Sequence, residues 1–346
     1  MPLNYNLTEF TKASGCGCKI EPEKLKTLLK SDLNLSPDIN LLIGNQHNDD
    51  AAVYDLGNGK VLISTIDFFT PMVNDPFDFG YIAAANALSD VYAMGGSPIL
   101  ATAVLGWPTQ IIPLELAQQV LEGGRSACDA AGIKIAGGHS IESPEPFFGL
   151  SVNGLMKTTE LKTNSGAKEN DLLYITKPLG VGVLSAALKK GKLSNEHETI
   201  LVKQLKQLNK LGALLGKQHY INALTDVTGF GLAGHALEMA KAADLTLVLC
   251  YDNLPIINVF FDYTSQLIVP DNLYRNFNAY KDEMALNHKD AFFAMCDPQT
   301  NGGLLIAVNP EYKNDIETLL SNHNLIDFAK PIGVFEAKQQ ISLIVN

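Results

Sequence analysis

Along nearly the whole chain, apolar residues either alternate with polar ones or recur at helical spacing, and each change of rhythm marks an element. Ala51 to Leu56 and Val61 to Ile66 read as strands joined by the turn Gly57-Asn58-Gly59, a hairpin with Asp49, Asp50 and Asp67 at its strand ends. The Ala-rich run from Phe79 to Met94 is helical, with Ala83, Ala87 and Met94 as its buried stripe and Gly95-Gly96-Ser97-Pro98 as its stop. Asn86 and Asp90, four apart, share one side of that helix, and a half-buried carboxylate at Asp90 needs a partner. Upstream, Glu21-Pro22-Glu23 opens a short helix whose Leu25, Leu28 and Leu29 are spaced for packing.

Ile99 to Gly106 reads as a strand and Leu114 to Ala131 as a helix. A short strand, Ile133 to Ala136, runs into the polar loop Gly137-Gly138-His139-Ser140, and Phe147 to Met156 is a further strand. Lys157 to Asn170 turns polar, which sets a domain boundary and divides the chain into 1–156 and 157–346. The second half shows a strand at Leu172 to Thr176, helices at Val183 to Lys190 and Leu201 to Leu215, a helix opening after Thr228-Gly229-Phe230-Gly231, and strands at Leu245 to Leu249 and Leu304 to Val308. Interleaved strands and helices in two halves predict a two-domain α/β or α+β protein.

Composition narrows the classes. At 346 residues with 46% hydrophobic and 18% charged residues, the chain has ample core for two domains and is not a disordered polymer. A net charge of −11 opposes general affinity for nucleic acid or anionic membrane. Five cysteines without paired spacing suit a reducing compartment, and no apolar run approaches the ~18 residues of a spanning helix, so a cytoplasmic protein is expected.

The candidate chemistry lies in two places. Gly15-Cys16-Gly17-Cys18-Lys19 holds two thiols and an amine apart only by glycine, which suggests a reactive flap within about residues 1–45, or else a tail with two idle cysteines. Asp49, Asp50, Asp67, Asp90 and Asp226 each end or edge an apolar element. Singly they read as caps and turns; converging, they would repel one another unless divalent cations intervened, and an oxygen-only set suits Mg2+ with phosphate oxygens completing its shell. Zinc is disfavoured, because no two Cys-x-x-Cys or His-x-x-x-His pairs occur. No Gly-x-x-x-x-Gly-Lys-Ser/Thr motif is present, so ATP would not be held by a P-loop. Gly229, Gly231 and Gly234 match a dinucleotide fingerprint with Asp252 downstream, which leaves an NAD-dependent oxidoreductase as a competing reading.

Taken together, Gly15-Cys16-Gly17-Cys18-Lys19, Asn48-Asp49-Asp50, Thr65-Ile66-Asp67, Asn86 to Gly96, Gly137 to Ser140, Thr225 to Gly231 and Asp297-Pro298-Gln299-Thr300-Asn301-Gly302-Gly303 resemble the selenophosphate synthetase (selenide, water dikinase) family over nearly the whole chain. The Asp90 and Asp226 segments also resemble the wider group of aminoimidazole ribonucleotide synthetase and thiamine monophosphate kinase, so another ATP-dependent kinase or ligase of that group is the alternative. The resemblance implies an α+β fold of two α/β domains, the N-terminal mixed sheet pairing across a homodimer. It implies that ATP, selenide and water give selenophosphate, phosphate and AMP, with a selenium-delivery protein as a further partner. By the same resemblance, Cys16 and Lys19 are catalytic; Lys19, His47, Asn48, Asp49, Asp67, Asp90, Gly138, His139 and Ser140 contact ATP; and Asp50, Asp67, Asp90 and Asp226 bind magnesium.

Overall fold

The computed structural model describes residues 5–12, 15, 24, 27–30, 38–44 and 49–346. Two mixed sheets and the helices on them make an α+β fold. The first sheet uses β1 (Leu41–Ile43), β2 (Ala52–Gly57), β3 (Lys60–Phe69), β4 (Ser97–Trp107), β5 (Ile135–Glu142) and β6 (Phe147–Lys157) in the order β1-β2-β3-β6-β4-β5. All of its pairings are antiparallel except β4 with β5. Helices α1 (Pro76–Ala93) and α2 (Leu114–Ala130) cover one face.

α1 starts three residues earlier than its apolar stripe, because Asp75 caps it by accepting from the Asp78 backbone N–H at 2.8 Å and Pro76 fits the first turn. The two helices touch backbone to backbone. A Cβ on Gly80 would overlap the Val120 carbonyl, and one on Gly123 would overlap that of Phe77. β3 is longer than its hydrophobic run, so Asp67 lies inside the strand rather than at its end. β5 likewise absorbs Gly137-Gly138-His139-Ser140, which is strand and not loop, since this edge pairs in parallel register with β4 from Ala101 to Trp107.

The second sheet runs β10-β13-β9-β12-β7-β11-β8, formed by β7 (Leu172–Ile175), β8 (Ile221–Asp226), β9 (Thr246–Leu249), β10 (Met284–Leu286), β11 (Leu304–Val308), β12 (Gly333–Glu336) and β13 (Leu343–Val345). Its helices are α3 (Val181–Lys189), α4 (Asn195–Leu205), α5 (Gly212–Leu215), α6 (Gly231–Ala242), α7 (Phe260–Thr264), α8 (Asp271–Tyr280), α9 (Ala291–Cys296) and α10 (Lys313–Asn322).

This topology removes the dinucleotide reading. A fingerprint needs neighbouring parallel strands joined by the helix, whereas β11, β7 and β12 lie between β8 and β9. The glycines have other duties: Gly231, at φ +71°, passes within 2.8 Å of where a Cβ would meet the Met295 carbonyl, and Gly234 makes room for Phe230 and Tyr280. β8 itself, a poor strand by composition, forms because it pairs antiparallel with β11 along its length.

The helix expected over Leu201 to Leu215 is broken after Leu205. Asn301 Nδ2 donates to the carbonyls of Leu205 (2.6 Å) and Gln207 (2.8 Å), and the buried Lys177 ammonium donates to those of Gln207 and Asn301 (both 2.8 Å). Carbonyls taken by side chains cannot continue the ladder. Downstream of the break the halves meet at glycine: the Gly216 and Gly95 backbones touch, and Gly212 lies against the Tyr92 carbonyl. Of the short helix near residue 24, Leu28 and Leu29 are exposed rather than packed, and Leu25 lies outside the described residues. No helix among the described residues is long and apolar enough to cross a membrane.

Gly123→Ala sets about 1 kcal/mol of helix propensity against a backbone overlap that costs about 1–3 kcal/mol or more. The expected outcome in urea unfolding is a net loss of stability; a gain would show that the helices can separate freely.

Candidate active site

One face of α1 assembles the site. Asn86, Ser89 and Asp90 fall at i, i+3 and i+4 and so point the same way from a helix that is otherwise apolar there. Asp90, buried, accepts from Thr65 Oγ1 of β3 at 2.6 Å. Asn86 Nδ2 donates to Asp67 Oδ2 at 2.7 Å, while its Oδ1 accepts the Asn301 backbone N–H at 2.7 Å. Ser89 donates to Asp226 Oδ2 at the end of β8 and accepts from Asn209 Nδ2 at 2.7 Å. Asn209 also donates to the Gly302 carbonyl at 2.8 Å. The loop Asn301-Gly302 and the segment after α4 are thus tied to the same helix face.

Asp50 closes the group from the start of the β2–β3 hairpin. Its Oδ1 accepts from Thr225 Oγ1 at 3.0 Å, and its Oδ2 is buried with no hydrogen-bond partner among the described residues. Burial first, then the nearby carboxylates of Asp226 and Asp90, hold Asp50 well above the usual carboxylate range, and the Thr225 hydroxyl opposes this only in part. Three carboxylates from three separate elements are therefore close enough to sense one another. Burial pushes Lys177 down to about 7, against the favourable pull of Asp226, so at neutral pH it offers the carboxylates only part of a positive charge.

A divalent cation fits this arrangement. Among the described residues no cluster of three or more His, Cys, Asp and Glu side chains encloses an ion by itself. Mg2+ needs no such enclosure, since it takes one or two carboxylates and completes its shell with water and phosphate. The buried, unpartnered oxygen of Asp50 is the atom such an ion would satisfy.

The remaining expected residues are placed as follows. Asp49 stands apart from this set, its Oδ1 accepting the Asn164 backbone N–H at 3.0 Å. Asp67 and Gly138 lie in one transverse row of the first sheet, through Leu150 and Ala103, three strand spacings or about 14 Å apart. His139 belongs to the next row, with Phe68. By alternation it faces outward, away from α1 and α2, whereas Ser140 faces inward. All three residues of Gly138-His139-Ser140 are exposed. Gly138 is needed for packing, since a Cβ there would strike the Ala103 backbone. Cys16, Lys19, His47 and Asn48 lie outside the described residues.

Sequence reasoning missed Thr65, Ser89, Thr225, Asn209, Lys177 and Asn301. Thr65, Ser89, Thr225 and Asn301 lie in the segments that carry the family resemblance but had no role assigned, and Ser89 is also a third polar residue on the Asn86–Asp90 side of an Ala-rich helix. Among the described cysteines Cys128 and Cys296 are free and buried, and burial pushes both thiols up to about 12, which makes them inert.

Comparison with known proteins follows the same outline. The family description AIR synthase related protein, N-terminal domain, matches residues 48–156, and its C-terminal domain matches 168–346. A selenide, water dikinase of Shewanella baltica is 50% identical over 325 residues, covering 94% of this chain and 92% of that protein. Another from Shewanella sp. (strain MR-4) is 51% identical over 324 residues, covering 93% and 92%. Among solved structures, a thiamine-monophosphate kinase from Stenotrophomonas maltophilia superposes with a TM-score of 0.65 at 18% identity, over 93% of this chain and 94% of that one. The hydrogenase maturation protein HypE in complex with ATP gives 0.66 at 16% identity, over 87% and 86%. At such identities these two share the fold.

A carboxyl whose folded pKa is raised is protonated longer in the folded chain than in the unfolded one, so stability falls as pH climbs above the ordinary carboxylate range. In chelator at pH 8, Asp50→Asn should therefore melt about 2 °C or more above the unaltered protein, and the gap should close towards pH 4. Magnesium with ATP should raise the melting temperature of the unaltered protein more than that of the variant. Calorimetry showing a destabilised Asp50→Asn at pH 8 would contradict the crowding of these carboxylates.

Proposed function

The chain belongs to the selenide, water dikinase family, and from that premise we propose that it converts ATP, selenide and water to selenophosphate, phosphate and AMP. The single observation that carries the reading is the buried, unpartnered Asp50 oxygen facing Asp226 and Asp90. A site so deficient in positive charge is made for a ligand that brings cations and phosphates together. Asp50, Asp67, Asp90 and Asp226 would hold Mg2+ there. When bound, magnesium neutralises the charge that builds on phosphate oxygens during transfer.

The protein's own contribution is placement. One P–O–P linkage of ATP opens to selenide with formation of a P–Se bond, and the other opens to water, so positioning and charge compensation dominate over covalent chemistry. Thr65, Asn86 and Ser89 hold Asp90, Asp67 and Asp226 by hydrogen bonds, and those carboxylates keep their aim. Lys19 supplies a point charge to phosphate, and Cys16, its thiolate favoured by that lysine, guides selenide to the phosphorus. His47, Asn48, Asp49, Gly138, His139 and Ser140 complete the nucleotide contacts. The chain works as an N-terminal unit, 1–156, and a C-terminal unit, 157–346, in the cytoplasm, with selenium supplied there by a delivery protein.

Self-association is part of the proposal. The outer face of the first sheet, opposite α1 and α2, exposes Tyr54, Ile66, Phe68 and Ile141, an apolar surface that supports a homodimer through the N-terminal sheets. Its edge strand β5 carries Gly138 to Ser140.

Phosphorus NMR with ATP, magnesium and selenide under anaerobic conditions is expected to give selenophosphate and AMP. ADP as the final product would point instead to another kinase or ligase of the wider group. Cys16→Ser should abolish selenophosphate formation, and retained activity would remove the thiol from the mechanism. Phe68→Glu should halve the mass seen by sedimentation; an unchanged mass would move the dimer interface elsewhere.

A further inference from the structure

A second cavity, of about 590 Å³, opens between α3, α8 and the N-terminal segment. Its charged lining is Lys12, Lys189, Lys190 and Arg275 against Asp271, and the Glu145 carboxylate, which accepts the Lys12 backbone N–H at 3.3 Å, is a second negative neighbour of Lys189. In a chain with 26 Lys and Arg against 37 Asp and Glu, four cations against the two carboxylates of Asp271 and Glu145 still reverse the local sign. The remaining walls are largely apolar, among them Met72, Val269 and Pro298.

The cavity adjoins the flap's root. Lys189 Nζ donates to the carbonyls of Thr11 (2.9 Å) and Lys12 (2.7 Å), fixing the incoming chain to α3. Gly15 bridges to Thr70, its N–H donating at 3.0 Å, and a Cβ on it would come within 2.9 Å of both Met72 Sδ and Thr300 Oγ1, two residues of the cavity wall. Gly15, which precedes Cys16 in the chain, thus lies at this opening.

The ligand class follows from what the cavity lacks. Phosphate is ordinarily held by free backbone N–H groups at a helix start. Here those of α3 are taken: Gly180 and Val181 donate to Gln299 Oε1 (3.2 and 3.4 Å) and Gly182 to Asp297 Oδ2 (3.1 Å). Basic side chains over apolar, sulfur-bearing walls suit a small, soft, weakly hydrated anion better. Hydrogen selenide is singly deprotonated at neutral pH and is such an anion.

We propose that this cavity is the antechamber of the selenium substrate, concentrating hydroselenide beside the residue 15 turn before it reaches Cys16. The assignment rests on the reaction proposed above. It gives Lys190 and Arg275 a role in capturing the acceptor, separate from the carboxylates around α1.

Anaerobic kinetics with hydroselenide and ATP as varied substrates test it on the full chain, on Lys190→Met, on Arg275→Met and on the double variant, with Lys217→Met as the net-charge control. The KM for selenide should rise about three- to tenfold per single change, the KM for ATP should hold, and the salt dependence of the selenide KM should flatten in the double variant. An unchanged selenide KM in the double variant, or an equal rise in Lys217→Met, overturns the assignment. A second arm needs no turnover: alkylation of Cys16 by anionic iodoacetate relative to neutral iodoacetamide, read by mass spectrometry, should fall in the double variant, and equal ratios overturn the proposal. Unaltered protein that makes no selenophosphate yet keeps its preference for iodoacetate would defeat the reaction and leave the cationic antechamber standing.

Discussion

Fifteen of the 18 residues of α1 are buried, and three of those fifteen, Asn86, Ser89 and Asp90, need hydrogen-bond partners that no apolar core could supply. Burying polar groups without partners costs roughly 1–3 kcal/mol each, so the surroundings of this helix are dictated by its own side chains. β3 answers with Thr65 and Asp67, β8 with Asp226, and the loop after α9 with the Asn301 backbone. Each answer comes from a different part of the chain. The requirement that assembles the fold is the same one that brings the carboxylates together.

Around that face lies a layer of side chains whose work is positional. Asn209 holds Ser89, Asn301 ends α4, and Lys177 ties the carbonyls of Gln207 and Asn301 into one knot. Asp297 and Gln299 cap α3. In this light the run Asp297 to Gly303 is a bracket. It joins two helices of the C-terminal half to α1. Asp297 is itself raised to about 8 by burial, a tension its partners relieve only in part.

Periodicity alone disclosed most strands and the long helices, because those elements bury one face or stripe against a sheet. The α+β class and the convergence of Asp50, Asp90 and Asp226 were also within reach. What escaped had non-local causes. β8 exists through pairing with β11 rather than propensity, the break after Leu205 is made by Asn301 and Lys177, about 95 and 30 residues away, and Gly137 to Ser140 became strand through register with β4. Asn209 gave no sign at all, being an ordinary polar residue until the fold turned it inward. A fingerprint such as Gly229 to Gly234 misled for the opposite reason, as glycines needed for close packing imitate glycines needed for a ligand.

The contact of Gly95 with Gly216 places two backbones where side chains usually intervene. Joined there and along the α1 face, the halves have no hinge at that end. For one half to rock on the other about this seam, the two backbones would have to separate. The two sheets also share a polar interior, since loosening one would strip partners from buried polar groups of the other.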